Sequence, residues 1–141
     1  MRYKIPIEII ELEHDNYHIL VTSVFADGHS RKWVVDTGAS KSIFDKNLLQ
    51  CFEYVDGLTE DLHSAGIGDE PIQSEIALLK SFSFSNLNIR EMKVAVIDLK
   101  HVNKLYASSA GFEICGLIGG DFLVQHKGTI DYHKKRMILR K

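Results

Sequence analysis

The alternation of apolar and polar residues near the N-terminus predicts a β-strand. Ile5, Ile7 and Ile9 alternate with Pro6 and Glu8, a two-residue period typical of a strand that buries one face. Proline has no backbone N–H to give to a neighbouring strand, so Pro6 favours an edge or terminal position in a sheet.

The next apolar segments predict a β-hairpin. Residues 17–26 are rich in Val, Ile and Phe, and residues 31–35 form a second apolar run that leads into Asp36. Between them, Asp27-Gly28 is a strong signal for a tight hairpin turn. We therefore expect a strand that ends at a carboxylate.

Short runs of β-branched and aromatic residues predict further strands later in the chain. Ser85-Asn86 and the glycine-rich residues 66–71 supply turn signals, the latter as the tip of a hairpin. These strands cover residues 42–44, 58–67, 72–84, 89–99 and 112–118, and a last hairpin joins residues 129–132 to 137–139.

Two or three short helices complete the prediction. Asp45 has the character of a helix N-cap, with Leu48, Leu49 and Phe52 on one face of the helix that would follow it.

The other two helical segments differ in character. Residues 100–110 are polar and weakly helical, which predicts a surface excursion. Residues 121–127 form a short helix, with Gly128 at the C′ position.

Length and composition fit one domain over residues 1–141, with no linker or repeat. The chain is 45% hydrophobic and 26% charged, as in a typical globular protein. A net charge of −2 argues against a nucleic-acid partner, and Lys134-Lys135-Arg136 is interpreted as a solvated turn. No apolar stretch is long enough to span a membrane, so no membrane partner is expected.

The cysteines and the N-terminus predict a cytoplasmic protein. Two cysteines, Cys51 and Cys115, do not make a disulfide framework, and both are interpreted as buried structural thiols. A reducing compartment is the simpler assumption. The N-terminal residues lack the uninterrupted apolar region of a secretion signal, so we expect a cytoplasmic location unless a leader has been removed.

The run Trp33–Ser40 is the first candidate for chemistry. A carboxylate at the end of an apolar strand is costly to bury unless it is hydrogen-bonded or catalytic, which draws attention to Asp36. Thr37 adds a hydroxyl, and Gly38 permits close backbone approach. The same residues are also an ordinary way to leave a strand, since Asp and Gly are turn formers.

A second apolar strand that ends in glycines makes the first one more specific. Leu117-Ile118-Gly119-Gly120 is followed at once by the predicted helix from Asp121. Alone it is an ordinary strand-to-helix turn, but paired with the earlier Asp-Thr-Gly it forms a recognisable combination.

With these two motifs, the chain resembles the retropepsin-like aspartic peptidases, the single-domain relatives of pepsin, over residues 17–139. The resemblance implies a mainly β, single-domain acid-protease β-barrel and an aspartic endopeptidase activity. The matching segments are Asp36-Thr37-Gly38-Ala39, Ala65-Gly66-Ile67-Gly68, Leu117-Ile118-Gly119 and the helix from Asp121.

The resemblance assigns a role to each motif. Asp36 is the catalytic residue, and Thr37, Gly38 and Ala39 support its loop. Thr37 would hydrogen-bond across a dimer axis, and Gly38 would present its carbonyl to the substrate. The flap residues Gly66, Ile67 and Gly68 would close over an extended peptide and exclude water, while Leu117, Ile118 and Gly119 form the second glycine motif. No metal or cofactor is expected.

Two departures favour the cellular or bacterial branch over the viral one. Retroviral enzymes pair an acid after Asp-Thr-Gly-Ala with an arginine after the late glycine, and here those positions are Ser40 and Gly120. Both partners are missing together, so no buried charge is left unpaired. Residues 100–110 are an addition to the family pattern.

Peptide hydrolysis by this route needs two carboxylates around one water, sharing a proton. The chain has one Asp-Thr-Gly, so a C₂ homodimer must supply the second Asp36. The alternative from another class is a retropepsin-fold module that binds or scaffolds peptides with little turnover.

Other candidate chemistry is weaker. His14 and His18 are four residues apart, but their segment is predicted as loop and strand, and the remaining histidines are scattered among polar residues, so a metal site is not favoured. Ser40 and Ser42 lack the nucleophile-elbow pattern of serine hydrolases.

Overall fold

The computed structural model describes residues 1–62 and 72–141, and side chains for residues 1–55 and 74–141. Within these ranges the chain is mainly β, with two α-helices and a 3₁₀ helix at Leu49–Cys51. The α-helices are α1 (Lys100–Ala110) and α2 (Gly120–Gln125). The strands are β1 (Arg2–Glu13), β2 (Asn16–Phe25), β3 (Ser30–Val35), β4 (Ile43–Asp45), β5 (Phe52–Leu62), β6 (Ile72–Leu79), β7 (Phe82–Phe84), β8 (Leu87–Ile89), β9 (Met92–Ile97), β10 (Ile114–Ile118), β11 (Thr129–Asp131) and β12 (Arg136–Arg140).

The strands pair in the order β11-β12-β1-β2-β3-β10-β4-β9-β6-β5, with β7 joined to β2 and β8. This confirms the mainly β prediction. Over the two described ranges the pairings form a path with two ends, so the closed barrel remains a prediction.

Strand β1 changes partner at its proline. Arg2 to Pro6 pair with β12, and Ile7 to Glu13 pair with β2. The strand contacts two others along its length, but at Pro6 it pairs with β12 alone, which agrees with the predicted edge or terminal position. Pro6 is the last residue that pairs with β12, and the ladder with β2 begins at Ile7. The sheet tolerates the proline because its missing N–H falls at the junction of these two ladders.

The centre of the sheet brings together two distant parts of the chain. Strand β10 runs parallel to β3, with Val35 beside Ile118, and antiparallel to β4 on its other side. Gly116 makes this crossing possible, because a Cβ there would lie 2.2 Å from the Ile43 carbonyl oxygen and 2.9 Å from the Trp33 ring. Strand β10, which carries the second glycine motif, thus holds the apolar residues before Asp36 in place.

Buried side chains form two clusters on opposite sides of this central region. The larger cluster contains Trp33, Val35 and Phe44, and the smaller contains Leu20 and Val34. Side chains on successive strand positions point to opposite faces, which explains why Val34 and Val35 belong to different clusters. The smaller cluster also includes Leu99, Tyr106 and Ile114.

The helix predicted from Asp45 is wrong. Asp45 ends β4, and its carboxylate accepts N–H groups from Asn47 and Leu99, at 3.1 and 3.2 Å. One 3₁₀ turn follows, and Phe52 then enters β5 opposite Leu79. The apolar residues that suggested a helical face are divided between this turn and the sheet.

Two further boundaries differ from prediction. The strand expected over residues 72–84 is split, because β6 pairs with β5 and β9 whereas β7 pairs with β2 and β8. At the end of α2, Lys127 takes the left-handed conformation, with φ of 48°. Gly128 is the next residue, and its N–H reaches the Leu123 carbonyl at 2.8 Å, so it is at C″ rather than C′.

The cysteine prediction is confirmed. Cys51 and Cys115 are both buried free thiols. Burial raises the pKa of Cys51 and raises that of Cys115 well above its ordinary value. A thiol held in the protonated form is a poor nucleophile, which agrees with a structural role.

Candidate active site

Asp36 lies on a tight turn at the end of β3. Its N–H donates to the Ile118 carbonyl at 2.9 Å, which continues the β3–β10 pairing by one residue. Its carboxylate accepts the Gly38 N–H at 3.0 Å, and its carbonyl accepts the Ala39 N–H at 3.1 Å. The carboxylate is thereby held by its own turn and by a neighbouring strand.

The second glycine motif lies directly against this turn. The Gly120 N–H donates to the Ala39 carbonyl at 2.7 Å. A Cβ on Gly119 would lie 2.7 Å from the Lys41 carbonyl oxygen and 2.9 Å from that of Ala39. Only a residue without a side chain fits between the two loops, which explains why a glycine follows Leu117-Ile118.

A buried serine and the first acid of α2 link the two motifs. The Ser42 hydroxyl donates to the Asp121 carboxylate at 2.7 Å and accepts the Gly119 N–H at 2.9 Å. Asp121 also accepts the Ser42 and Phe122 N–H groups, at 3.1 and 2.8 Å. The sequence interpretation missed this link, treating Asp121 only as a helix start; an acid directly after paired glycines was the available signal.

Thr37 and Gly38 face solvent, whereas Asp36 is half-buried. Beside Thr37 lies a shallow surface depression lined by Leu123, Val124 and Ile130, and the Val124 side chain is 79% exposed. The turn that carries the carboxylate therefore borders an apolar surface.

Helix α1, which the sequence analysis predicted to be a surface excursion, is packed against the sheet through buried side chains. The Asn103 side chain makes a pair of hydrogen bonds with the backbone of Ile114, at 2.8 and 3.0 Å, and Tyr106 is buried. Tyr106 Oη lies 3.1 Å from His18 Nδ1. The pKa of Tyr106 is raised, first by burial and then by the negative charge of Asp36. The added helix thus reaches the region of the candidate carboxylate.

Two histidines are at least partly buried. His18 is half-buried against Tyr106, and His126 is buried, with its Nδ1 3.1 Å from the Arg140 carbonyl oxygen. The residues that they contact are distant in sequence, so no local sequence pattern predicts these contacts.

The predicted flap residues Gly66, Ile67 and Gly68 lie outside the described residues, as does the rest of the predicted tip to Pro71. In the described part of the chain, the side chains with metal-ligand spacing are Glu11, His14 and Asp15, all exposed at the β1–β2 turn. This group does not include Asp36 or its loop. No helix in the described ranges is long and apolar enough to cross a membrane.

Comparison with known proteins agrees with this geometry. The model of a family described as aspartyl protease matches residues 21–122, a span that includes both the Asp36 turn and the second glycine motif. The chain therefore belongs to this aspartyl protease family.

A solved structure shows the same fold. The crystal structure of a retropepsin-like aspartic protease from Rickettsia conorii superposes with a TM-score of 0.51. The two chains are 19% identical, and the alignment covers 99% of this chain and 89% of the other. No curated protein sequence matches the chain.

Proposed function

We propose that the protein is an aspartic endopeptidase that cleaves peptide bonds with two Asp36 carboxylates, one from each copy of a homodimer. The observation that carries this proposal is the Asp36 turn, a half-buried carboxylate fixed between two strands and bordered by solvent-exposed Thr37 and Gly38. A carboxylate needed only for a turn would not require the second glycine motif against it.

In the proposed mechanism the two carboxylates share one proton. The ionised carboxylate takes a proton from water as the water oxygen attacks the scissile carbonyl. The protonated carboxylate polarises that carbonyl by donating its proton to the carbonyl oxygen. As the carbon–nitrogen bond breaks, the departing amine receives the proton that the first carboxylate took from water, and the second carboxylate recovers its own as the new carboxyl group forms. The two groups titrate as a pair, so activity belongs to the singly protonated form.

A homodimer is proposed because the described chain contributes a single carboxylate to this turn. The exposed Thr37 and the apolar depression of Leu123, Val124 and Ile130 support a contact beside the turn. Apolar surface next to a site that lacks its partner group is the arrangement expected of a subunit interface. We also propose that Gly66 to Gly68 act as the flap that closes over the peptide and excludes water.

The test is cleavage of a peptide library by the wild type and by Asp36→Asn over pH 3 to 8. In a dimer this change removes both carboxylates, so we expect a loss on the order of a thousand-fold or more in rate. Wild-type activity should be highest on the acid side, decrease as the shared proton is lost, and decrease on dilution below the dimer dissociation constant.

The matched control is Asp15→Asn, the same chemical change in an exposed turn where φ is 62° and asparagine fits. It should leave cleavage unchanged. If Asp36→Asn cleaves like wild type, the aspartic mechanism is wrong. If the wild type binds peptides and cleaves none, the alternative of a peptide-binding module is correct.

A further inference from the structure

A cavity of about 280 Å³, here called the distal cavity, lies at the opposite end of β3 from Asp36. Its wall is formed by the first residues of β3, the end of β4, the residues that lead into β10, and Asn103 of α1. Arg31 in this wall is five residues before Asp36, which is roughly 17 Å along an extended strand. The distal cavity is therefore separate from the candidate active site, and its volume suits a ligand smaller than most drug molecules.

A buried carboxylate, that of Asp45, is part of the wall of the distal cavity. Asp45 is only 6% exposed. Its Oδ1 accepts the backbone and side-chain N–H groups of Asn47 at 3.1 and 2.8 Å, and the Leu99 N–H at 3.2 Å. Its Oδ2 has no donor in the described part of the chain. Because a buried carboxylate is costly unless its oxygens are bonded, a hydrogen-bond donor in the cavity would stabilise this group.

The charges around the distal cavity leave it negative. Both cations in the wall are engaged by acids outside it: Arg31 donates to both oxygens of Asp27, at 3.2 and 3.0 Å, and Lys32 pairs with Glu8. The donors to the buried carboxylate are neutral amides, and Glu113 in the wall pairs with no cation within the two described ranges. A positively charged ligand would balance this excess.

Apolar side chains supply much of the remaining wall. Leu48 and Phe112 are partly buried there, and Cys115 is 2% exposed. Burial raises the pKa of the Cys115 thiol well above its ordinary value, so the thiol adds no charge. A wall with one buried carboxylate and several apolar groups favours a ligand with one positive charge and a small apolar body.

We infer that the distal cavity binds a small organic ammonium ion. Its N–H groups donate to Asp45 Oδ2, and its apolar part contacts Leu48 and Phe112. A neutral ligand of the same shape would leave the carboxylate uncompensated, and an anionic one would be repelled by it. The inference does not rest on the proposed peptide cleavage.

Benzylamine is the probe, because it joins one ammonium group, charged at neutral pH, to a single phenyl ring. Titrated into the full chain at pH 7, it should cause saturable NMR shifts at Ser30, Asn103 and Cys115, with a dissociation constant on the order of 1 mM. Benzyl alcohol should bind about tenfold more weakly or less, and benzoate weaker still. Benzyl alcohol binding as tightly as benzylamine, a preference for benzoate, or shifts confined to other residues would overturn the inference.

Asp45→Asn tests the carboxylate itself. The variant keeps an oxygen for the N–H groups of Asn47 and Leu99 but loses the charge, so it should bind benzylamine about tenfold more weakly or less. The matched control is Asp98→Asn. Asp98 also accepts the Asn47 side chain, at 2.8 Å, but is exposed and outside the wall, so affinity should change less than about twofold. Equal affinities of wild type and Asp45→Asn would overturn the inference.

Ser30→Trp tests the cavity without altering a buried group. Ser30 is exposed in β3 and lines the cavity, and strands accept aromatic residues, so the variant should fold and exclude benzylamine. Ser108→Trp, the same change at an exposed position of α1 outside the wall, should bind benzylamine like wild type. Circular dichroism checks that all variants are folded. Undiminished binding by Ser30→Trp would overturn the inference even if Asp45→Asn failed to fold.

Discussion

At the scale of single residues, the candidate site depends on small polar contacts between distant segments. Ser42 is fully buried and bonded both to the Asp121 carboxylate and to the Gly119 N–H. It follows the Asp36 turn in sequence, whereas its partners begin α2. A single hydroxyl therefore connects the turn of the proposed catalytic residue to the second glycine motif.

Ser42→Ala should weaken both the fold and the proposed activity. The change removes one donor from a half-buried carboxylate and the acceptor from a buried N–H, which costs about 1–3 kcal/mol of the free energy of unfolding. Urea unfolding measures the stability loss, and kcat/KM measured where the variant remains folded reports the looser turn. Ser40→Ala, at an exposed position two residues earlier, should be neutral. A Ser42→Ala protein as stable as wild type would contradict the role given to this hydroxyl.

Asp27 provides a prediction for acid conditions. Its pKa is lowered to about 2, mainly by the hydrogen bond from Arg31 and then by the His29 N–H. A lowered folded-state pKa means that the stabilisation is complete above the ordinary value of 3.8 and is lost as the pH falls through about 2. As the pH falls from 3.8 to about 2, the wild type loses this stabilisation and Asp27→Asn does not. The urea midpoint of the variant should therefore rise steadily relative to that of the wild type when both are measured at successive pH values. A constant difference between the two proteins would rule out this linkage.

At the scale of elements, the crossing of β3, β10 and β4 leaves no room for a side chain at Gly116. Gly116→Ala places a Cβ against the Ile43 carbonyl and the Trp33 ring, both part of the buried frame. We expect a loss of about 3 kcal/mol or more in unfolding free energy, because the contacting atoms are backbone and a fully buried indole.

Gly28→Ala is the informative comparison for Gly116→Ala. Gly28 has φ of 83° and nothing within 4 Å of the added Cβ, so its cost is limited to backbone strain of about 1–2 kcal/mol. Thermal or urea unfolding of both variants measures the difference. Equal losses would mean that the close approach at Gly116 relaxes without cost.

The sequence was most informative where local periodicity and turn chemistry decide the structure. The Asp27-Gly28 hairpin and the strand into Asp36 were both predictable. The Asp45 helix was not, because pairing of Phe52 with Leu79 overrides a local apolar stripe. The links Ser42–Asp121 and His18–Tyr106 join segments far apart in sequence and have no local signature.

At the scale of the whole molecule, the proposed homodimer gives the exposed apolar surface a role. Val124→Glu puts a charge into the depression beside Thr37 and should abolish dimer formation and cleavage together, with the monomer still folded, because Val124 is 79% exposed. Sedimentation equilibrium and circular dichroism measure the two properties. Val102→Glu, at a partly exposed position on α1, is the control. A dimeric and active Val124→Glu would place the interface elsewhere.

The parallel pairing of β3 with β10 has a consequence for how the protein matures. The two strands are separated by most of the chain, so their contact forms only after a large loop has closed, which is slow compared with hairpin formation. During synthesis, Asp36 emerges long before Ile118 and Gly119, which hold its turn. If the protein cleaves peptides as proposed, the growing chain would have no assembled site until β10 has left the ribosome, so the fold itself would delay activity until that point.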